Sequence, residues 1–211
     1  IENIVIANTG LEELVEASIR MIQMDYSYSG NLQPDTILIE GSHTKDRQSY
    51  IKIFYQNALY QELYSNHQSN IRKSRFYNQG PWEDEKGSDD SFFYSGNNIS
   101  ILKFLMKHTS IPDATTRIVD GREKKILRFQ MESSDWEDVS ELVHIFLNNY
   151  GTGLSWDSSA KVKFEFQIDT EKKFVESMTN TLTLNEDEQS YTYVYKYDYR
   201  ADPLEKMPIM E

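Results

Sequence analysis

Carboxylates and a few histidines are the residues that could do chemistry in this 211-residue chain, which has 34 acidic residues, four histidines and no cysteine. The lack of cysteine excludes disulfides, thiolate metal sites and cysteine nucleophiles within these residues. Glu141 and His144 lie three residues apart on a predicted helix, so they share one helix face. A metal site needs several converging ligands, and such a pair is usually a surface pair. We therefore predict neither a metal site nor a cofactor.

An acidic cluster follows the only Gly-Pro-Trp sequence of the chain. It consists of Asp84, Glu85, Asp89 and Asp90. Carboxylates attract Ca²⁺, but an EF-hand loop alternates its oxygen ligands around a glycine, and this spacing departs from that pattern. We predict a solvated surface loop here rather than a calcium site.

Motifs of enzymatic chemistry are missing from the sequence. It has no Gly-x-Ser-x-Gly nucleophile motif, no phosphate-binding Gly-Lys-Ser/Thr and no Gly-x-Gly-x-x-Gly. Two facing carboxylates suffice for glycoside hydrolysis, and their pairing in space is not visible in a sequence. We predict a non-catalytic protein without catalytic residues, and a hydrolase with an unseen acidic pair remains an alternative.

The charge balance restricts the partners. The formal net charge is −12, and both phosphate backbones and anionic membrane surfaces attract positively charged proteins. We therefore predict no nucleic-acid partner. No apolar run reaches the roughly 18 residues of a membrane span.

Three strand-like segments between residues 161 and 200 are the clearest elements. Each alternates with a period of two, which is typical of half-buried strands, and short polar turns join them into an antiparallel meander. Their apolar sides carry Val162, Phe164, Phe166 and Ile168, then Phe174, Met178, Leu182 and Leu184, then Tyr191, Tyr193, Tyr195, Tyr197 and Tyr199. The tyrosine row is typical of a binding surface or of a packed sheet face, and we favour packing.

The remaining elements are expected to cover this apolar side. Further strands are predicted at 36–40, 49–56, 59–65 and 71–77, a turn at 26–31 and a hairpin of 116–119 with 124–131. Helices are predicted at 9–25, 98–108 and 134–150, and the first has the apolar stripe Leu11, Leu14, Val15, Ile19 and Ile22. We predict a single α+β domain over residues 1–211: a curved antiparallel sheet, or incomplete β-barrel, with about three helices on its concave side.

This order of elements resembles the bacterial LolA-like superfamily, which includes lipoprotein carriers and mycobacterial lipid-binding lipoproteins. The resemblance rests on the leading helix, Gly80-Pro81-Trp82 before the second helix, the closing meander that begins at residue 161, and Tyr197-Asp198-Tyr199 with Pro208-Ile209 near the end. It implies a half-barrel whose apolar cavity, between sheet and helices, holds an acyl chain or a protein partner. The cavity candidates are Ile19, Ile22, Leu102, Met106, Phe164, Phe166 and Met178.

The resemblance also implies a location. Members are often tethered by a lipidated cysteine at the mature N-terminus, and this chain begins at Ile1 without one. We expect a secreted or cell-surface bacterial lipoprotein from which the signal and the anchor cysteine have been removed. Contact with a membrane is expected only through that lipid anchor, which is absent from this sequence. The expected ligand is a lipid or acyl group, and the alternative is a protein-interaction or sensor module of the cell envelope without a lipid.

Overall fold

The computed structural model describes residues 9–33, 36–77, 80–84, 113–131, 161–186, 189–200 and 208. Within these ranges the chain forms one helix and eleven strands. They are α1 (Thr9–Ile22), β1 (Tyr26–Gln33), β2 (Ile37–His43), β3 (Gln48–Tyr55), β4 (Ala58–Asn66), β5 (Ile71–Phe76), β6 (Glu83–Asp84), β7 (Asp113–Val119), β8 (Arg122–Met131), β9 (Lys161–Asp169), β10 (Phe174–Glu186) and β11 (Gln189–Arg200).

All eleven strands belong to one antiparallel sheet with the order β6-β5-β4-β3-β2-β1-β11-β10-β9-β8-β7. The sheet consists of two meanders that run in opposite directions from its centre. There β1 pairs with β11, and Tyr28 stands opposite Tyr199. Among the described strands β6 and β7 are the two edges, so this sheet is open.

Tight turns fix the register of two hairpins, β3–β4 and β7–β8. Gln56 and Asn57 join β3 to β4 with φ of 50° and 65°, and Asp120 and Gly121 join β7 to β8 with φ of 51° and 75°. Two successive positive φ angles match the twist of the flanking strands, as in a type I′ turn. The hairpin around Asp120-Gly121 is thereby confirmed.

The α+β class with about three helices is wrong. The described residues form a mainly β structure, one open sheet with the single helix α1. The predicted helices at 98–108 and 134–150 lie outside the described residues. The turn predicted at 26–31 is part of β1. Ser29, Gly30 and Asn31 favour a turn locally, but pairing with β2 on one side and β11 on the other satisfies the backbone of this segment.

The core lies on the sheet face that packs against α1, which we call the apolar face. Its main apolar side chains are each at most 8% exposed. In order across the sheet they are Leu63 of β4, Ile51 of β3, Ile37 and Ile39 of β2, Tyr26 and Tyr28 of β1, Tyr199 of β11, Met178 of β10, Phe164, Phe166 and Ile168 of β9, and Leu127 and Phe129 of β8. The opposite side of the sheet is the polar face.

Helix α1 lies mainly over β10 and β9. It buries Leu11, Leu14, Ala17 and Met21, each at most 5% exposed. Two ion pairs flank this contact, from Glu13 to Lys125 and from Glu16 to Lys173, both at 2.6 Å. Burial of the apolar side chains supplies most of the stabilisation, because exposed ion pairs contribute about 0–1 kcal/mol each.

Candidate functional site

Three of the predicted cavity residues meet on the apolar face. Phe166 stands directly opposite Met178, and the rings of Phe164 and Phe166 stack with centroids 6.5 Å apart. All three side chains are 0% exposed. Strand alternation places them together, since residues i and i+2 share a face and cross-strand partners lie side by side.

The helical candidates are distributed differently. Ile19 is 51% exposed, because α1 turns Ala17, Ser18 and Met21 toward the sheet instead. Ile22 ends α1 and is half-buried. Leu102 and Met106 lie outside the described residues.

An aromatic cluster occupies the centre of the apolar face. The ring centroids of Tyr26 and Tyr28 lie 5.9 and 5.7 Å from that of Tyr199, and Tyr28 also covers the backbone of Gly41 on β2. Burial raises the pKa of both Tyr26 and Tyr28, so their hydroxyl groups stay protonated. Tyr199 is 8% exposed and packs against both rings, so the packing interpretation of the tyrosine row is confirmed for this residue.

His43 and Ser49 form a buried polar pair at one end of this face. The His43 Nδ1 lies 3.0 Å from the Ser49 Oγ, and Nε2 lies 3.5 Å from the carbonyl oxygen of Ile22. If Nε2–H points to the carbonyl, Nδ1 accepts the hydrogen bond from Ser49. Burial lowers the pKa of His43 to about 4. Both residues are 1% exposed, and their contacts join α1 to β2 and β3.

Asn180 of β10 and Ser18 of α1 are buried polar residues. Each is 2% exposed. In the described part of the chain, the Nδ2 and Oδ1 of Asn180 and the Oγ of Ser18 have no hydrogen-bond partner. Leaving a buried polar group unpaired costs roughly 1–3 kcal/mol. Sequence reasoning missed Asn180, although it interrupts the apolar alternation between Met178 and Leu182.

On the polar face, a buried lysine holds two carboxylates. Lys124, 3% exposed, donates to Asp169 Oδ2 at 2.5 Å and to Glu176 Oε1 at 2.6 Å. Burial would raise the pKa of Asp169, but the hydrogen bonds from Lys124 and the amides of Lys172 and Glu171 lower it to about 2. A carboxylate that stays ionised in this way is no general acid near neutral pH.

A second carboxylate on the polar face is also fully engaged. Glu62, 2% exposed, accepts hydrogen bonds from the hydroxyl of Tyr50 and, at 2.5 Å, from Arg75 Nε. Burial would raise its pKa, but these hydrogen bonds lower it. The Arg75 guanidinium also lies over the Trp82 ring, 4.8 Å from its centroid. The cluster ties β3, β4 and β5 together, which is a structural role.

An exposed aromatic cluster lies near the β6 edge. Tyr60 of β4 contacts Phe76 and Tyr77 edge-to-face, with ring centroids 5.6 and 5.5 Å apart. The three residues are 39%, 45% and 63% exposed, respectively. No periodic pattern in the sequence marks this cluster, because Phe76 and Tyr77 are adjacent in sequence and so do not repeat on one strand face.

The described residues contain no group of histidines and carboxylates that could hold a metal ion. Asp84 is the last residue of β6, and its side chain is exposed. The rest of the predicted acidic loop lies outside the described residues. No helix within the described ranges has the length and apolar character needed to cross a membrane.

No protein-family model matches the chain, and a search of the curated proteins finds no match either. The resemblance to the LolA-like superfamily therefore stays a prediction.

Proposed function

We propose that this is a non-catalytic binding protein that holds a lipid or acyl chain against the apolar face. The width of that face supports the proposal. It spans eight neighbouring strands, from β4 to β8 across the β1–β11 pair, which is about 34 Å at roughly 4.8 Å per strand spacing. The 14 residues of α1 span about 21 Å at 1.5 Å per residue, and their contacts reach from Lys125 of β8 to His43 of β2. The apolar face is therefore wider than α1 is long, and this helix alone does not account for the burial of its apolar side chains.

Energetics favour a long apolar ligand at such a face. Each methylene transferred from water contributes about 0.8 kcal/mol, so ten methylenes supply about 8 kcal/mol before the cost of association. Phe164, Phe166 and Met178 offer two aromatic rings and an adaptable thioether to such a chain. Placement of the protein at a bacterial cell envelope remains a prediction from the resemblance.

A second candidate function is a protein-interaction module without a lipid. The exposed cluster of Tyr60, Phe76 and Tyr77 favours it, because exposed contiguous aromatic rings are typical of interaction surfaces. The hydrolase alternative receives less support. The buried carboxylates of the described residues, Glu62 and Asp169, are both paired with cations.

Mass spectrometry of the purified protein, native and after organic extraction, tests the proposal. A co-purified lipid near one per chain would support it, as would uptake of a fluorescent fatty acid by the delipidated protein. An empty protein that takes up no fatty acid would overturn the proposal and move the search to a protein partner.

Matched leucine variants separate the two candidates. Phe166→Leu alters the apolar face, and Phe76→Leu makes the same chemical change in the exposed cluster. We expect Phe166→Leu to weaken fatty-acid binding about tenfold and Phe76→Leu to leave it unchanged, with circular dichroism to confirm folding. The reverse pattern, with Phe76→Leu the damaging change, would contradict a site on the apolar face.

A further inference from the structure

The exposed aromatic cluster forms where the pairing of β3 with β4 becomes irregular. The register shifts between Ile53 and Phe54 of β3, and Tyr60 of β4 is the extra residue of this β-bulge. A bulge re-aims the side chain that it carries. The ring of Tyr60 thereby stands edge-to-face with two rings that follow β5 and its end, at 5.6 Å from Phe76 and 5.5 Å from Tyr77 between centroids.

Tyr77 holds its place in the cluster at a conformational cost. Its φ is 57°, in the left-handed region that bulky residues rarely adopt. The backbone N–H of Tyr77 donates to the carbonyl oxygen of Tyr60 at 2.9 Å, which fixes this conformation. The ring is nevertheless 63% exposed, so burial of the side chain does not repay the strain. Strained residues of this kind concentrate at sites that contact ligands.

The surroundings of the cluster are uncharged in sequence. Residues 53–61 and 76–82 contain no Asp, Glu, Lys or Arg, whereas 27% of the whole chain is charged. Glu62 and Arg75 border these segments, but they form an ion pair with each other. A neutral aromatic surface in a chain with a net charge of −12 indicates a neutral partner, because a charged partner would be recognised through opposite charges.

Side-chain amides accompany the rings. Gln61 stands opposite Phe76, and cross-strand partners lie side by side on one face of the sheet. Gln56 and Asn57 form the neighbouring turn, with exposed side chains. Each carboxamide both donates and accepts hydrogen bonds. This surface therefore combines open ring area with neutral hydrogen-bonding groups.

We propose that the exposed aromatic cluster and Gln61 bind a neutral glycan made of pyranose rings with equatorial hydroxyl groups. The axial C–H groups of such a sugar form an apolar face with weakly positive hydrogens, which packs on the negative face of an aromatic ring. Its hydroxyl groups both donate and accept hydrogen bonds, as the carboxamide does. A lipid chain would leave the amide without a partner, and an anionic glycan would be repelled by the net charge.

This inference goes beyond the proposed lipid binding and does not rest on it. The cluster belongs to β4 and to the end of β5, whereas Phe164, Phe166 and Met178 belong to β9 and β10. Six strand spacings separate β4 from β9 in the sheet. The two sites can therefore be tested separately on the same protein.

Calorimetric titration with cellohexaose, a neutral chain of β-1,4-linked glucose, tests the proposal. Tyr77→Leu keeps an apolar side chain but removes the ring, so we expect about tenfold weaker binding. Gln61→Leu removes the amide, and we expect about fivefold weaker binding. Ile118→Ala, at a residue of β7 that is 71% exposed, is the control and should bind like the wild type. Circular dichroism confirms that each variant is folded.

Decaproline, a neutral peptide of the kind that docks on aromatic grooves, distinguishes a protein partner from a glycan. Binding of decaproline without binding of cellohexaose would overturn the inference in favour of the protein-interaction module. Absence of cellohexaose binding at millimolar concentration would overturn it as well, and so would equal affinities of the wild type, Tyr77→Leu and Gln61→Leu. Uptake of a fluorescent fatty acid, measured on the same samples, decides the proposed function independently.

Discussion

Replacement of Lys124 by Met tests the account of the polar face most directly. The variant keeps the length of the side chain but removes the ammonium group that lies 2.5 Å from Asp169 and 2.6 Å from Glu176. Asp169 is 0% exposed, so its charge would stay buried with two backbone amides as hydrogen-bond donors and with the half-exposed Arg122 guanidinium 4.0 Å away. Removal of one partner of a buried ion pair costs about 3–5 kcal/mol.

Urea unfolding at pH 7 measures this loss in the free energy of unfolding, and thermal unfolding measures the corresponding change in melting temperature. One kcal/mol shifts the melting temperature of a chain of this size by about 2–4 °C, so the melting temperature should fall by about 6–20 °C. Lys125→Met is the matched control, because the neighbouring lysine lies on the opposite face and pairs with the partly exposed Glu13. That surface pair should contribute about 1 kcal/mol or less.

The pH dependence of the free energy of unfolding provides a second test of the pair between Lys124 and Asp169. In the wild type, the pKa of Asp169 is lowered from 3.8 to about 2. Its contribution, about 2 kcal/mol for this difference, is therefore present above pH 3.8 and lost as the pH falls toward 2. Without Lys124 the Asp169 carboxylate can take up a proton at higher pH, so the destabilisation by Lys124→Met should shrink between pH 7 and pH 3. A loss below 1 kcal/mol, or one independent of pH, would refute this reasoning.

Two further predictions concern the apolar face. Since burial lowers the pKa of His43 from 6.5 to about 4, the unfolded chain takes up a proton that the folded chain does not. Stability should thus decrease from pH 6.5 to pH 4 by up to about 3 kcal/mol, and His43→Gln should flatten this part of the urea-midpoint profile; an unchanged slope would contradict the assignment. At Gly41 an added Cβ would lie 2.1–2.5 Å from atoms of the Tyr28 side chain, so Gly41→Ala should destabilise by about 1–3 kcal/mol. Gly80→Ala, whose Cβ meets no atom of the described residues closer than 4.0 Å, should be neutral, and equal unfolding midpoints for both variants would argue against the Tyr28 contact.

Local alternation was sufficient to predict much of the sheet. The strands of the closing meander, the strands at 36–77 and the Asp120-Gly121 hairpin all follow from period-two patterns and turn chemistry, which act between near neighbours. The same alternation places Phe164, Phe166 and Met178 on one side. Helix α1 follows from the apolar stripe that begins at Leu11.

Long-range contacts decided the rest. The pairing of Tyr28 with Tyr199 joins distant parts of the chain, and no local pattern encodes it. Through that pairing, residues 26–31, which were expected to form a turn, become part of β1, the central strand of the sheet. Local propensity is weaker than the hydrogen bonds and burial gained between two strands, so tertiary context overrides it.

The candidate site shows the same division between sequence and structure. Residue types alone determined that the chain is acidic, rich in aromatics and free of cysteine. Only the tertiary structure decided that α1 buries Ser18 and exposes Ile19, because the rotation of a helix about its axis is set by the surface on which it packs. Likewise, the sequence marks Lys124, Asp169 and Glu176 as charged, but their pairing depends on three strands that meet in the sheet.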